Sequence, residues 1–139
     1  MSIKRNSNAL WNGSGKDGKG FLSSASGILD NTPYSFSTRF ENAKGTNPEE
    51  LIAAAHAGCF SMKLAFNLQA ENFTADELNT SCEIVLHEGT VTESNLTLSA
   101  KVNGISNDKF DELVQHAKEN CPISKLLNTK ISVAYTLEN

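Results

Sequence analysis

The sequence predicts an α+β domain, on three observations. Residues 1–45 carry short strand-like segments separated by turn clusters. Residues 51–70 form one long apolar segment preceded by a helix-start signal. Beyond it lie two alternating segments, a second amphipathic helix and a closing strand. At 139 residues the chain is the size of one domain, 1–139, and long enough to build a core without metal or disulfide staples.

The first strands are expected around Ala9, over residues 21–28 and over residues 34–40, with turns at 13–20 and 29–33. Gly13-Ser14-Gly15-Lys16-Asp17-Gly18-Lys19 approaches the spacing of a phosphate loop. Gly20 then stands where Ser or Thr must bind magnesium, and no helix pattern follows, so this is read as a flexible loop. Asn47 is a good N-cap, Pro48 suits the first helical position, and Glu50 falls where a capping-box acid belongs. The helix that follows is apolar nearly all round and rich in small residues (Ala53, Ala54, Ala55, Ala57, Gly58), which predicts burial on every face.

Residues 81–88 and 95–102 alternate as a hairpin turning near Gly89-Thr90. Asn107 or Asp108 caps a helix that turns Phe110, Leu113, Val114 and Ala117 inward. Asn120-Cys121-Pro122 breaks it, a short helix runs through Leu127, and residues 130–137 put Ile131, Val133, Tyr135 and Leu137 on one side of the last strand.

Charge and composition narrow the partners. The chain is 39% hydrophobic and 20% charged, a globular balance, with a formal net charge of −4 and its basic residues scattered. Phosphate binding needs concentrated Lys and Arg, so nucleic acid is not the expected partner. The first residues lack an apolar stretch of signal-peptide type, which gives a cytoplasmic expectation. His56, Gly58, Ser61 and Lys63 interrupt the apolar run, so no membrane span is expected. Three widely spaced cysteines fit no secreted disulfide framework and would rest as thiols in a reducing compartment.

The candidates for chemistry are few. His56 and Cys59 sit one turn apart without a second ligand pair, so no metal site is expected and no cofactor is implied. A hydrolase nucleophile elbow is absent. His87 and His116 read as solvated surface. His56 reads either as a packed, hydrogen-bonded structural histidine or as a group that tunes Cys59. Cys59 itself reads as a small core hydrophobe or as a redox partner of Cys121. Cys121 falls at the N-cap of the short helix, where backbone N–H groups favour a thiolate. On the residues alone, Arg39 is a surface strand charge and Glu49 a favourable acid in a first helical turn.

The run Thr46-Asn47-Pro48-Glu49-Glu50-Leu51-Ile52-Ala53-Ala54-Ala55-His56-Ala57-Gly58-Cys59-Phe60-Ser61-Met62 resembles the OsmC branch of the OsmC/Ohr family of thiol peroxidases. So do Asn120-Cys121-Pro122-Ile123-Ser124-Lys125-Leu126-Leu127 and Arg39 within Phe-Ser-Thr-Arg-Phe. The resemblance implies an OsmC-like fold of antiparallel sheets around a long buried central helix. It also implies cytoplasmic reduction of hydroperoxides, organic ones preferentially, in oxidative or osmotic stress. Cys59 would be the peroxidatic and Cys121 the resolving thiol, with no bound cofactor and an external dithiol, lipoyl-type or small, as reductant. Cys82 has no counterpart in that scheme and reads as core.

A helix-embedded Cys59 gains nothing from the helix dipole, and burial raises a thiol pKa, so a cation is required. Arg39 would supply it, held by Glu49. Glu49 and Cys59 are ten residues apart on one expected helix, about 15 Å along its axis at ~1.5 Å per residue. That spacing predicts an intertwined homodimer with each site drawn from both chains. Two other classes compete with the enzyme: a thiol redox sensor, and a non-enzymatic stress protein whose cysteines only pack.

Overall fold

Residues 13–18 make a tight turn in which the Gly18 N–H donates to Ser14 O at 2.8 Å and the Trp11 indole N–H reaches the Gly13 and Ser14 carbonyls, each at 3.2 Å. The loop expected to be free is therefore hydrogen-bonded into a hairpin. In this computed structural model, which describes Met1–Asn139, the hairpin joins β1 (Ser7–Asn12) to β2 (Lys19–Ser24), and β3 (Thr32–Tyr34) adds to β2. All pairings in this small sheet are antiparallel, in the order β1-β2-β3. The Trp11 and Tyr34 rings pack 5.4 Å apart, with Gly20 between them; any side chain there would collide with both rings.

Residues 36–40 are not strand. They form α1 (Phe36–Phe40), a single helical turn. The Ser35 hydroxyl accepts the Thr38 N–H at 3.3 Å while the Thr38 hydroxyl accepts the Ser35 N–H at 2.7 Å. That reciprocal cap satisfies two orphan donors and outweighs the strand preference of Phe and Thr. Arg39 therefore projects from a helical turn rather than a strand.

The long helix α2 (Pro48–Ala70) starts where expected: the Glu50 N–H donates to the Asn47 side-chain oxygen at 2.8 Å. The Glu50 carboxylate does not complete the capping box but takes the Thr46 hydroxyl instead, at 2.8 Å. The chain divides into two compact units, Met1–Leu51 and Ile52–Asn139, and the remaining elements belong to the second.

There β4 (Glu77–His87) and β5 (Thr90–Lys101) form a long antiparallel hairpin with a register shift at Val85/Leu86. Its two-residue turn has positive φ at both Glu88 (48°) and Gly89 (77°), the type I′ geometry that matches strand twist. Helix α3 (Asn107–Asn120) is capped by Ser106, not by Asn107 or Asp108: the Ser106 hydroxyl accepts the Lys109 N–H at 3.1 Å. After α4 (Pro122–Leu126), β6 (Lys130–Glu138) pairs with β5 in parallel. The sheet is thus mixed rather than antiparallel, because the α3–α4 crossover returns the chain to run in the same direction as β5.

One stripe of α2 supplies the core side of the helix. His56, Phe60, Leu64 and Leu68, at four-residue steps, are fully buried, with Leu96, Leu98, Val102, Phe110 and Val114 in the same core. Each large apolar side chain contributes roughly 1.5–3 kcal/mol by leaving water. The rest of the helix overturns the expectation of all-round burial. Ala54, Ala55, Gly58, Ala65 and Phe66 face outward, and Met62 and Phe66 are 64% and 59% exposed. By length and composition α2 is apolar enough to cross a membrane. Its buried stripe shows a helix packed on a sheet.

Candidate active site

In the first unit, Arg39 on α1 meets Glu49 on the opening turn of α2. The guanidinium Nε donates to one carboxylate oxygen at 2.7 Å and lies 3.3 Å from the other. Glu49 is the more buried partner, at 13% against 41% for the Arg39 side chain. A single nitrogen grips both oxygens, which leaves the terminal guanidinium nitrogens uncommitted to Glu49. The Arg39 guanidinium also lies over the Phe40 ring, 5.1 Å from its centroid. Both contacts fix its direction. Arg39 and Phe40 line a cleft of about 230 Å³ with Trp11, Tyr34, Ser35 and Phe36, aromatic on most sides.

In the second unit, Cys59 on α2 is partly buried and lies close to Cys121, the N-cap of α4. Burial pushes the Cys59 thiol above the usual range; a backbone hydrogen bond with Ile123 works the other way, and the neighbouring Cys121 thiol adds to the rise. No Lys or Arg is among the groups acting on it. Cys121 is fully buried, and its sulfur accepts the Ser124 N–H at 3.3 Å.

His56 does not face solvent. Its Nδ1 lies 2.6 Å from the Ser94 hydroxyl and its Nε2 2.8 Å from the Ser124 hydroxyl, and burial lowers its proton affinity. Ser94 and Ser124 went unpredicted because they lie 38 and 68 residues from His56. No spacing rule reaches that far. Cys82 packs against the core and lies 3.3 Å from the Ser94 hydroxyl. No group of three or more His, Cys, Asp or Glu side chains could hold a metal ion.

The family model described as OsmC-like protein matches residues 41–136. The chain belongs to the OsmC-like family. Peroxiredoxin OsmC of Escherichia coli K12 is 42% identical over 143 residues, covering 100% of both chains. Organic hydroperoxide resistance protein OhrB of Bacillus subtilis is 30% identical, over 86% of this chain and 89% of its own. Among solved structures, an OsmC-like protein from Mycoplasma pneumoniae superposes with a TM-score of 0.78 at 19% identity and full coverage, which shows the OsmC-like fold. The family match spans Glu49, Cys59 and Cys121; Arg39 lies just outside it but within the full-length similarity to the Escherichia coli protein.

Proposed function

We propose that this protein is a cysteine peroxidase that reduces hydroperoxides, organic ones in preference, and that residues 1–139 act as one OsmC-like domain. The Cys59 thiolate attacks the terminal peroxide oxygen. An S–O bond forms, the O–O bond breaks, and the alcohol leaves after taking a proton. Cys121 then attacks the Cys59 sulfenic acid, water departs, and an external dithiol, of lipoyl or similar small type, reduces the disulfide. The observation that carries this reading is the meeting of the Cys59 and Cys121 thiols from two different helices. The similarity to named peroxiredoxin and hydroperoxide-resistance proteins supports it. The aromatic walls beside Arg39 favour a substrate with an apolar tail.

The test is turnover with excess dithiol, comparing tert-butyl or cumene hydroperoxide with hydrogen peroxide. A higher kcat/KM for the organic substrates is expected. Absence of turnover with any of them would favour a redox sensor or a packing role for the cysteines.

Arg39 supplies the cation that Cys59 lacks in its own surroundings, and Glu49 aims it. Arg39→Ala is expected to raise the Cys59 pKa and slow peroxide attack by about 10²-fold, the scale of one lost charge-stabilising donor. Arg39→Lys should recover little, since an ammonium offers no planar fork to hold Glu49 and reach a second partner. A pH–rate profile of Cys59 alkylation unchanged from wild type would remove Arg39 from the mechanism.

The exposed face of α2 calls for a partner, and a second copy of this chain fits it. Ala55, Gly58, Met62 and Phe66 follow one another on that face at three- and four-residue steps. A Cβ built on Gly58 meets nothing within 4 Å, so another helix can approach closely there.

A further inference from the structure

Behind Cys121, the second unit holds an unbroken row of polar side chains whose other members the scheme above leaves unused. It runs from the partly buried Cys82 through the buried Ser94, His56 and Ser124 to Cys121. Ser94 Oγ lies 3.3 Å from Cys82 Sγ and 2.6 Å from His56 Nδ1. Ser124 Oγ lies 2.8 Å from His56 Nε2 and 3.1 Å from Cys121 Sγ. His56, Ser94 and Cys121 have no exposed surface, and every buried polar side chain has a hydrogen-bond partner. A row this buried and this complete is costly to disturb.

Only two arrangements of its protons are self-consistent while His56 is neutral, because a neutral imidazole has one N–H and one acceptor nitrogen. In the first, the Cys121 S–H points to Ser124 Oγ, the Ser124 O–H points to His56 Nε2, and Nδ1–H points to Ser94. In the second, Nε2–H points to Ser124, whose O–H turns onto the Cys121 sulfur. That sulfur already accepts the Ser124 backbone N–H, so it then receives two donors. The first arrangement suits a thiol at Cys121. Two donors on the sulfur suit a thiolate.

We propose that His56 is a positioning residue for disulfide formation, drawing the proton off Cys121 through the Ser124 hydroxyl and leaving the sulfur as a thiolate held by two hydrogen bonds. The inference rests on the reading of Cys59 and Cys121 given above. The Cys121 proton passes to Ser124 Oγ as the Ser124 proton passes to His56 Nε2. The Cys121 sulfur attacks the sulfenic sulfur of Cys59; the S–S bond forms and the S–O bond breaks. The departing hydroxide takes up the proton and leaves as water, and His56 returns to its neutral form. No further oxidant or reductant enters. The groups on His56 are Ser94 from β5, with Cys82 from β4 behind it, and Ser124 from α4, with Cys121 behind it. Burial alone moves its proton affinity, so no carboxylate or ammonium holds the proton there. A reluctant base of this kind returns the proton readily once the sulfur has reacted.

The experiment is a rapid quench after one equivalent of tert-butyl hydroperoxide, with two readouts by mass spectrometry: the dimedone adduct of Cys59 sulfenic acid, and the Cys59–Cys121 bridge. Wild type, Ser124→Ala, Ser124→Thr and His56→Gln are compared across pH. In Ser124→Ala and His56→Gln, Cys59 should oxidise within about twofold of wild type while the bridge forms at least about tenfold more slowly. The bridging rate should then climb about tenfold per pH unit toward the ordinary thiol range, where wild type is nearly flat. Ser124→Thr keeps the hydroxyl and should stay within about threefold of wild type. His56→Gln empties part of a packed core and is exposed to misfolding; Ser124→Ala removes one oxygen and decides the matter. Bridging in Ser124→Ala at the wild-type rate across pH overturns the inference, as does equal slowing of both steps. A wild-type chain that forms no Cys59–Cys121 bridge overturns both this inference and the reading beneath it.

Discussion

Cys59→Ser is expected to abolish peroxide turnover, by more than about a thousandfold, because a serine hydroxyl has no accessible anion at neutral pH and cannot form a sulfenic acid. Cys121→Ser should fail differently. Cys59 remains, so one stoichiometric equivalent of peroxide is consumed, and the unresolved sulfenic acid then climbs to the sulfinic state. The contrast follows from where the sulfurs sit. Cys59 is only partly buried and accessible to a peroxide, whereas Cys121 is fully buried and meets Cys59 rather than solvent. Cys82 lies against the core beside Ser94. Peptide mapping after one equivalent of hydroperoxide should therefore show a Cys59–Cys121 bridge within one chain. A dominant bridge through Cys82, or sulfinic acid at Cys59 in the wild type, would contradict the assignment.

What could be read in advance depended on whether the governing interaction was local. Asn47, Pro48 and Glu50 announce the start of α2, and Pro122 places Cys121 at the head of α4, because caps act within a few residues. The hairpin and the inward face of β6 follow from alternation alone. The helical turn carrying Arg39 reads as strand from sequence because its cap uses Thr38 where Glu or Gln is usual, in a segment rich in strand formers. The parallel pairing of β6 hangs on a crossover of more than a helix, which no window of sequence encodes. The all-round apolar character of α2 was visible, but a single chain covers only its His56–Leu68 stripe. His56 illustrates the same limit: its chemistry is set by Ser94 and Ser124, both distant in sequence and both ordinary in isolation.

That uncovered face leads to the second large effect. Mixing inactive Cys59→Ser chains with inactive Glu49→Ala chains is expected to restore part of the activity. Arg39 and Glu49 are held together in Met1–Leu51, Cys59 and Cys121 in Ile52–Asn139, and no cation of the latter unit acts on the Cys59 thiol. We propose that a partner's guanidinium supplies that cation, because Glu49 and Cys59 are ten residues apart along one helix. Two α2 helices packed antiparallel through Ala55, Gly58, Met62 and Phe66 about a two-fold axis would present Glu49 and Arg39 of each chain to Cys59 of the other. A mixed dimer then contains one site with both defects and one with neither. Random exchange of equal amounts puts about half the chains in mixed dimers, each with one working site, so roughly a quarter of wild-type activity should return. Light scattering of the wild-type chain should give the mass of two copies. A fully active monomer, or no rescue despite proven exchange of chains, would show that each site is built from one chain alone.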